Sequence, residues 1–377
     1  MIASAPELLR RYGLSARHSW GQNFLHDPTV HRSIAAATGA RPGRRVIEIG
    51  AGLGSLTWPL IETGAEIWGI ERDRDLCQVL RAELGEYSNF KLIEADAVHF
   101  DYAAAAAGCE EPPTIVGNLP YQLTGPLLFA LLAVHRQTGP WIVMIQREVA
   151  DRLCASPGSR TYGGVTVMLS RVRRISLVTQ VPRACFVPRP RVDSTVIRLD
   201  PLPQLRGEVA DEEGLRRLVQ AAFQRRRKVL VNALGGVATR EQAYAWCERA
   251  GIDPKIRPER LGPEEFAALQ RAREAEVSNS AGLAGTGPRN ESAGRHAVED
   301  ESGESTSGKQ KRAGGGAGGG ISKGKERAGG GSGGGISKEK ERAGGGSGGG
   351  TSKEKERAGG GSVGATNEEK KRGAGAS

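Results

Sequence analysis

From Arg45 onward the chain alternates short apolar runs with amphipathic segments, and no other feature narrows its fold as far. Residues 46–49, 66–70, 91–94, 114–117 and 141–145 are strand-length and rich in β-branched or aromatic side chains. Residues 55–63, 75–84, 125–134 and 147–153 carry helical periodicity between and after them. The strand runs are almost continuously apolar, which predicts parallel strands joined by crossover helices, with the sheet covered on both faces. Residues 165–169 and 194–199 are predicted to be the closing strands.

Before this sheet, Leu8, Leu9 and Tyr12 mark a short amphipathic helix, and Asp27-Pro28 opens another that Gly39 stops. After Pro203 the pattern is purely helical. One helix is predicted over 211–234, stopped by Gly235-Gly236. Thr239 and Gln242 form a capping box for a second helix ending at Gly251, and a third spans 263 to about 274. The expected division is a sheet domain over 1–203, a helical domain over 204–275 and a tail over 276–377.

The last hundred residues hold 31 of the 54 glycines and no Phe, Trp or Tyr. They carry too little apolar surface to offset chain entropy, so disorder is expected there. A 15-residue unit recurs with Arg312, Arg327, Arg342 and Arg357 in register. Each unit has a single Ile or Thr to stack, so it reads as a flexible tail and not a solenoid. Those hundred residues contribute half of the formal net charge of +10, leaving the ordered part basic enough to suit a polyanionic partner.

Cys77, Cys109, Cys154, Cys185 and Cys247 are scattered without any CxxC spacing, which predicts reduced thiols and neither zinc nor a disulfide framework. No apolar run reaches 18 residues, and the start lacks a signal-peptide layout. A soluble, cytoplasmic, monomeric protein with no metal and no membrane partner is the expectation.

The ends of the predicted strands carry the chemistry. Gly50-Ala51-Gly52-Leu53-Gly54 follows the first strand, and Glu71 lies 21 residues after Gly50 at the end of the second. A dinucleotide fingerprint would place glycine where Ser55 stands. The pattern instead suits a cofactor with a ribose and no phosphates. Glu71 would take the ribose hydroxyls, and Asp96, at the third strand end, would accept from an adenine amine. That combination points to S-adenosylmethionine. Ordinary left-handed turns and solvated acids are the bland alternative.

Asn118-Leu119-Pro120-Tyr121 closes the fourth strand. The exocyclic amine of a nucleobase is a poor nucleophile because its lone pair is delocalised into the ring. Two acceptors, the Asn118 side-chain carbonyl and the Leu119 main-chain carbonyl, would let the nitrogen pyramidalise, favouring the transition state over the ground state. Tyr121 would stack on a base taken out of its helix. A simple strand-end turn also fits these residue types.

Taken with Gly21-Gln22-Asn23-Phe24-Leu25, Glu48-Ile49-Gly50-Ala51-Gly52, Gln146-Arg147-Glu148-Val149-Ala150 and the run from Phe186 through Val187-Pro188-Arg189-Pro190-Arg191-Val192-Asp193 to Ser194, these motifs resemble the ribosomal RNA adenine dimethyltransferases of the KsgA/RsmA type, over about residues 5 to 272. The resemblance implies a Rossmann-like class I methyltransferase domain plus a small helical domain. It implies dimethylation of two adjacent adenosines in the hairpin loop near the 3′ end of small-subunit rRNA, in an immature small subunit. It places cofactor ligands on Asn23, Leu25, Gly50, Glu71, Asp96 and Asn118, and sets Phe186 on the base face opposite Tyr121. No general base is implied. Ala51, Trp20 and Gln122 depart from residues usual in the family.

The nearest competing class is a macrolide-resistance methyltransferase of large-subunit rRNA, which shares most motifs. Leu119, where such enzymes usually carry Ile, and the predicted basic helix with Arg225, Arg226, Arg227 and Lys228 favour the small-subunit enzyme. Those four cations are expected to contact RNA phosphates. A non-catalytic ribosome-assembly factor and a nicotinamide-dependent oxidoreductase are the more distant alternatives.

Overall fold

The computed structural model describes residues 3–17 and 20–284. Among the described residues the nine strands are β1 (Phe24–Leu25), β2 (Arg45–Ile49), β3 (Glu66–Glu71), β4 (Phe90–Glu94), β5 (Thr114–Asn118), β6 (Trp141–Gln146), β7 (Arg173–Val181), β8 (Phe186–Val187) and β9 (Ser194–Pro201). Seven form one sheet in the order β4-β3-β2-β5-β6-β9-β7, and β1 pairs with β8 in a separate antiparallel ribbon. Strands β2 to β6 are parallel as expected, and the closing strand β9 runs antiparallel to both β6 and β7, so the sheet is mixed.

Each central strand feeds two apolar layers. Val46, Val116, Ile142 and Met144 point into one cluster, while Ile47, Ile49, Ile115, Val143 and Ile145 point into the other. Helices Pro28–Thr38, Thr57–Ile61 and Arg74–Leu84 cover the first face, and Tyr102–Ala106, Thr124–Ala133 and Arg147–Leu153 the second. Asp27 caps Pro28–Thr38 by accepting from Thr29 N at 2.8 Å, and Gly39 ends it at φ +65°. Gly117 lets β5 approach β2, since a Cβ there would collide with the Ile49 carbonyl oxygen.

Two sequence expectations fail on packing grounds. Residues 165–169 lie in helix Gly164–Val172, and the edge strand is Arg173–Val181. That helix is apolar nearly all round because it is buried on two sides, Leu169 joining the sheet core and Val167 and Met168 the helical core. The predicted helix over 211–234 is in fact two, Glu212–Gln224 and Leu230–Ala233. Leu230 N donates to the Ile256 carbonyl at 2.7 Å, drawing the backbone away from the helix axis, and four adjacent cations do nothing to oppose the break.

Thr239 and Gln242 form both bonds of the capping box of Arg240–Ala250, a cap that contributes about 1 kcal/mol. Helix Pro263–Ala284 runs past its expected stop near 274, where Glu274 accepts from Asp211 N at 2.8 Å and Glu276 from the Trp246 indole. The glycine-rich repeat lies outside the described residues.

Candidate active site

The order of the sheet decides where a ligand can sit. After β4 the chain returns across the sheet to β5, beside β2, so the strand order reverses between those two neighbours and their C-terminal loops diverge. Gly50 leaves β2 and Asn118 ends β5 one register step beyond the Ile49–Gly117 pair. The crevice between them opens into a cavity of about 350 Å³.

Every cofactor residue expected from sequence lines it: Asn23, Leu25, Gly50, Glu71, Asp96 and Asn118, joined by Leu119 and Tyr121. Gly50 and Gly52 hold φ of +72° and +62°, and this left-handed turn is tied to β3, Gly50 N and Ala51 N donating to the Ile70 carbonyl at 2.9 and 3.2 Å. Glu71 spans the loops, accepting from Gly52 N at 3.0 Å through Oε2 and from Arg72 N and Asp73 N at 2.8 and 2.9 Å through Oε1. Burial pushes its carboxyl above the ordinary range, against the pull of those three donors. Asp96 accepts from Val98 N at 2.9 Å, and its other oxygen lies 3.6 Å from the Arg72 guanidinium.

The Gln22–Leu25 segment is held across the cavity by charge. Gln22 donates to Asp73 at 2.7 Å and accepts from Arg17 N at 2.8 Å, while Arg17 pairs with Asp73 at 2.8 Å and Asp75 at 2.5 Å. Asn118 Nδ2 donates to the Asn23 carbonyl at 3.1 Å. That bond orients the amide, since only its nitrogen can donate, and it leaves Oδ1 as the acceptor for a ligand. Pro120 starts the short turn Tyr121–Leu123, and the Tyr121 hydroxyl lies 2.7 Å from Ser194 Oγ at the start of β9.

Phe186 is placed differently from expectation. Its pairing with Leu25 in the β1–β8 ribbon turns the ring into the core, 2 % exposed among Leu25, Ile34 and Val196, and it does not line the cavity. Arg225–Lys228 form a turn, Lys228 N donating to the Arg225 carbonyl at 2.8 Å, in place of the expected helix. Arg225, Arg227 and Lys228 are exposed; Arg226 is tied down, donating to the Arg160 carbonyl at 3.0 Å and facing Glu259 at 4.0 Å.

Sequence reasoning quoted Glu48 only as the head of a motif, with no role, and missed His31; both are buried in the cavity wall. A carboxylate in the middle of Val46-Ile47-Glu48-Ile49 was the available signal, because a strand covered on both faces has no solvent for it. His31 sits on the core face of its helix, and burial lowers its pKa to about 4, keeping the imidazole neutral.

A glycine turn, two strand-end acids and an oriented asparagine around the switch point of this mixed sheet define a Rossmann-like methyltransferase. The sequence profile of the ribosomal RNA adenine dimethylase family matches residues 13–272. The chain is 46 % identical over 277 residues to the ribosomal RNA small subunit methyltransferase A of Anaeromyxobacter sp. strain K, covering 70 % of this chain and 95 % of that relative. It is 40 % identical over 274 residues to the protein of the same name from Myxococcus xanthus, covering 72 % and 95 %. Among solved structures it resembles a dimethyladenosine transferase from Plasmodium falciparum in fold, with a TM-score of 0.56 at 24 % identity over 67 % of this chain and 98 % of that one. The 23S rRNA methyltransferase ErmE matches with a TM-score of 0.52 at 25 % identity over 67 % and 99 %. The chain belongs to the ribosomal RNA adenine dimethylase family and is an rRNA adenine dimethyltransferase of the KsgA/RsmA type.

Proposed function

We propose that this enzyme uses S-adenosylmethionine to dimethylate the N6 amines of two adjacent adenosines in the 3′-terminal hairpin loop of small-subunit (16S) rRNA, as a step in small-subunit biogenesis. The observation that carries the reading is the convergence of Asn118, Leu119 and Tyr121 with Gly50, Glu71 and Asp96 on one cavity. Bound S-adenosylmethionine supplies a methyl group on a sulfonium. Glu71 would hold the ribose and Asp96 the adenine amine, with Asn23 and Leu25 closing the near side. Asn118 Oδ1 and the Leu119 carbonyl would accept the two N–H groups of the target amine and free its lone pair. Tyr121 would stack on the flipped base, its ring steadied through Ser194. The amine's proton leaves to solvent, so no side-chain base is required.

Identity of 46 % to a protein named for the small subunit supports that substrate over the 23S enzyme, which matches at 25 %. The helical segment 204–275 would carry RNA, with Arg225, Arg227 and Lys228 meeting phosphates. A monomer acting in the cytoplasm is part of the same reading. Primer extension along both rRNAs after incubation with undermethylated subunits tests it. Stops at two adjacent adenosines of the small-subunit 3′ hairpin are expected; a stop in large-subunit rRNA instead would establish the resistance activity.

A further inference from the structure

Trp20 lines the cavity, yet neither the amine grip nor the strand-end acids explain it. Its ring is 39 % exposed, and it is one of the residues that depart from the family's usual pattern. Two guanidiniums meet this ring. Arg17, on the chain just before it, lies 5.1 Å from the ring centroid and is itself anchored to Asp73 and Asp75. Arg72, in the loop after β3, lies 4.6 Å from the centroid and 3.6 Å from Asp96. The Glu71-Arg72-Asp73 tripeptide therefore serves three partners in a row: Glu71 accepts from the glycine turn, Arg72 faces Trp20 and Asp96, and buried Asp73 takes Gln22 and Arg17.

An exposed aromatic beside guanidiniums is also the make-up of a stacking platform for an unpaired nucleobase. The surrounding charge opposes that use. Both guanidiniums are engaged with carboxylates, and Glu71, Asp73, Asp75 and Asp96 outnumber Arg17 and Arg72 around the ring, which disfavours a phosphate backbone. The same contacts do suit a closure. The Gln22–Leu25 segment is fixed at one end by the β1–β8 ladder and in the middle by the bond from Asn118 to the Asn23 carbonyl. Near its other end, Trp20 reaches across to a loop of the sheet through Arg72. A guanidinium over a ring keeps its attraction through lateral shifts that would break a hydrogen bond, so such a contact can open and re-form.

We propose that Trp20 and Arg72 form a clasp across the mouth of the cavity, which holds the Gln22–Leu25 segment over the bound cofactor and sets how fast that cofactor leaves. The proposal rests on the S-adenosylmethionine reading above. Trp20 is a positioning residue: it acts through Arg72, which it holds against Asp96, and through the segment it begins. Arg17 braces the ring from the segment's own side, so the clasp opens where Trp20 parts from Arg72.

Surface plasmon resonance on the immobilised full chain reads the dissociation of S-adenosylmethionine and S-adenosylhomocysteine. Trp20→Leu keeps an apolar side chain and removes the π face. It should raise both off-rates about fivefold, the scale of losing an exposed cation–π contact, with on-rates changed less. Trp20→Phe, which keeps a ring, should restore most of that loss. Arg72→Gln should raise the off-rates similarly, and combining it with Trp20→Leu should add little, because the two residues make one contact. Should Trp20→Leu not fold, Arg72→Gln decides: a faster off-rate supports the clasp and an unchanged one overturns it. Wild-type off-rates in Trp20→Leu, equal behaviour of the Leu and Phe variants, or fully additive effects with Arg72→Gln each overturn the clasp. So does a Trp20→Leu variant that loses RNA affinity with its off-rates intact, which would make the ring an RNA platform. No binding of S-adenosylmethionine by the wild-type chain overturns the cofactor reading itself.

Discussion

Asn118 hands its amide nitrogen to the Asn23 main-chain carbonyl at 3.1 Å, joining two segments 95 residues apart in sequence. One hydrogen bond thus fixes both the acceptor face of Asn118 and the position of the segment across the cavity. The expected consequence is that Asn118→Ala lowers turnover about 100- to 1,000-fold, the scale of losing a preorganised transition-state contact. Steady-state methylation of undermethylated subunits measures it, with RNA binding retained. Undiminished turnover would remove Asn118 from the amine grip.

Glu71 accepts three backbone N–H groups before any ligand arrives. Glu71→Ala therefore loses an acceptor for the glycine turn as well as for a ribose. Cofactor affinity should fall about ten- to a hundredfold by calorimetry, with melting lowered by the three unpaired donors. An unchanged Kd would exclude the ribose role.

Ser194 is fully buried and meets the Tyr121 hydroxyl at 2.7 Å. Ser194→Ala should lower kcat several-fold, about 1 kcal/mol, while leaving the cofactor Kd alone. Tyr121→Phe should match it, and the double variant should add little. Fully additive losses would show that the two act separately.

The four cations of the Arg225–Lys228 turn should not be equivalent. Neutralising Arg225, Arg227 and Lys228 together is expected to reduce the salt slope of RNA binding by about 0.7 for each phosphate that is no longer neutralised. Arg226→Ala should leave that slope nearly intact and destabilise the fold, because its guanidinium is committed to the Arg160 carbonyl. The opposite ranking would place the RNA surface elsewhere.

His31 and Glu48 pull stability in opposite pH directions. The folded His31 pKa of about 4 lies below the unfolded value, so the unfolded chain binds the extra proton, and stability falls as pH drops from about 6.5 toward 4. Glu48, raised to about 8, binds its proton more tightly when folded, so stability falls as pH rises from about 4.5 toward 8. His31→Leu should flatten the acid limb of the free protein's denaturation profile and Glu48→Gln the alkaline one. Unaltered limbs would mean neither group titrates as placed.

Much of this protein was legible in its one-dimensional pattern. Apolar runs and the turns between them depend on nearest neighbours, so β2 to β6, the caps at Asp27 and Thr239 and the strand-end positions of Gly50, Glu71, Asp96 and Asn118 could be read directly. Features set by distant partners could not. Helix Gly164–Val172 looks like a strand until two cores are seen to bury it, and the Arg225–Lys228 turn exists because Ile256 captures Leu230 N. Phe186 sits in an aromatic-proline motif, yet its ladder with Leu25 sends the ring inward. Glu48 passed for an ordinary strand residue, and only the closed sheet shows its carboxyl buried in the cavity wall. Residue type and spacing settled which groups end the strands; burial and long-range hydrogen bonding, which need the whole chain folded, decided which of them face the cavity and in what charge state.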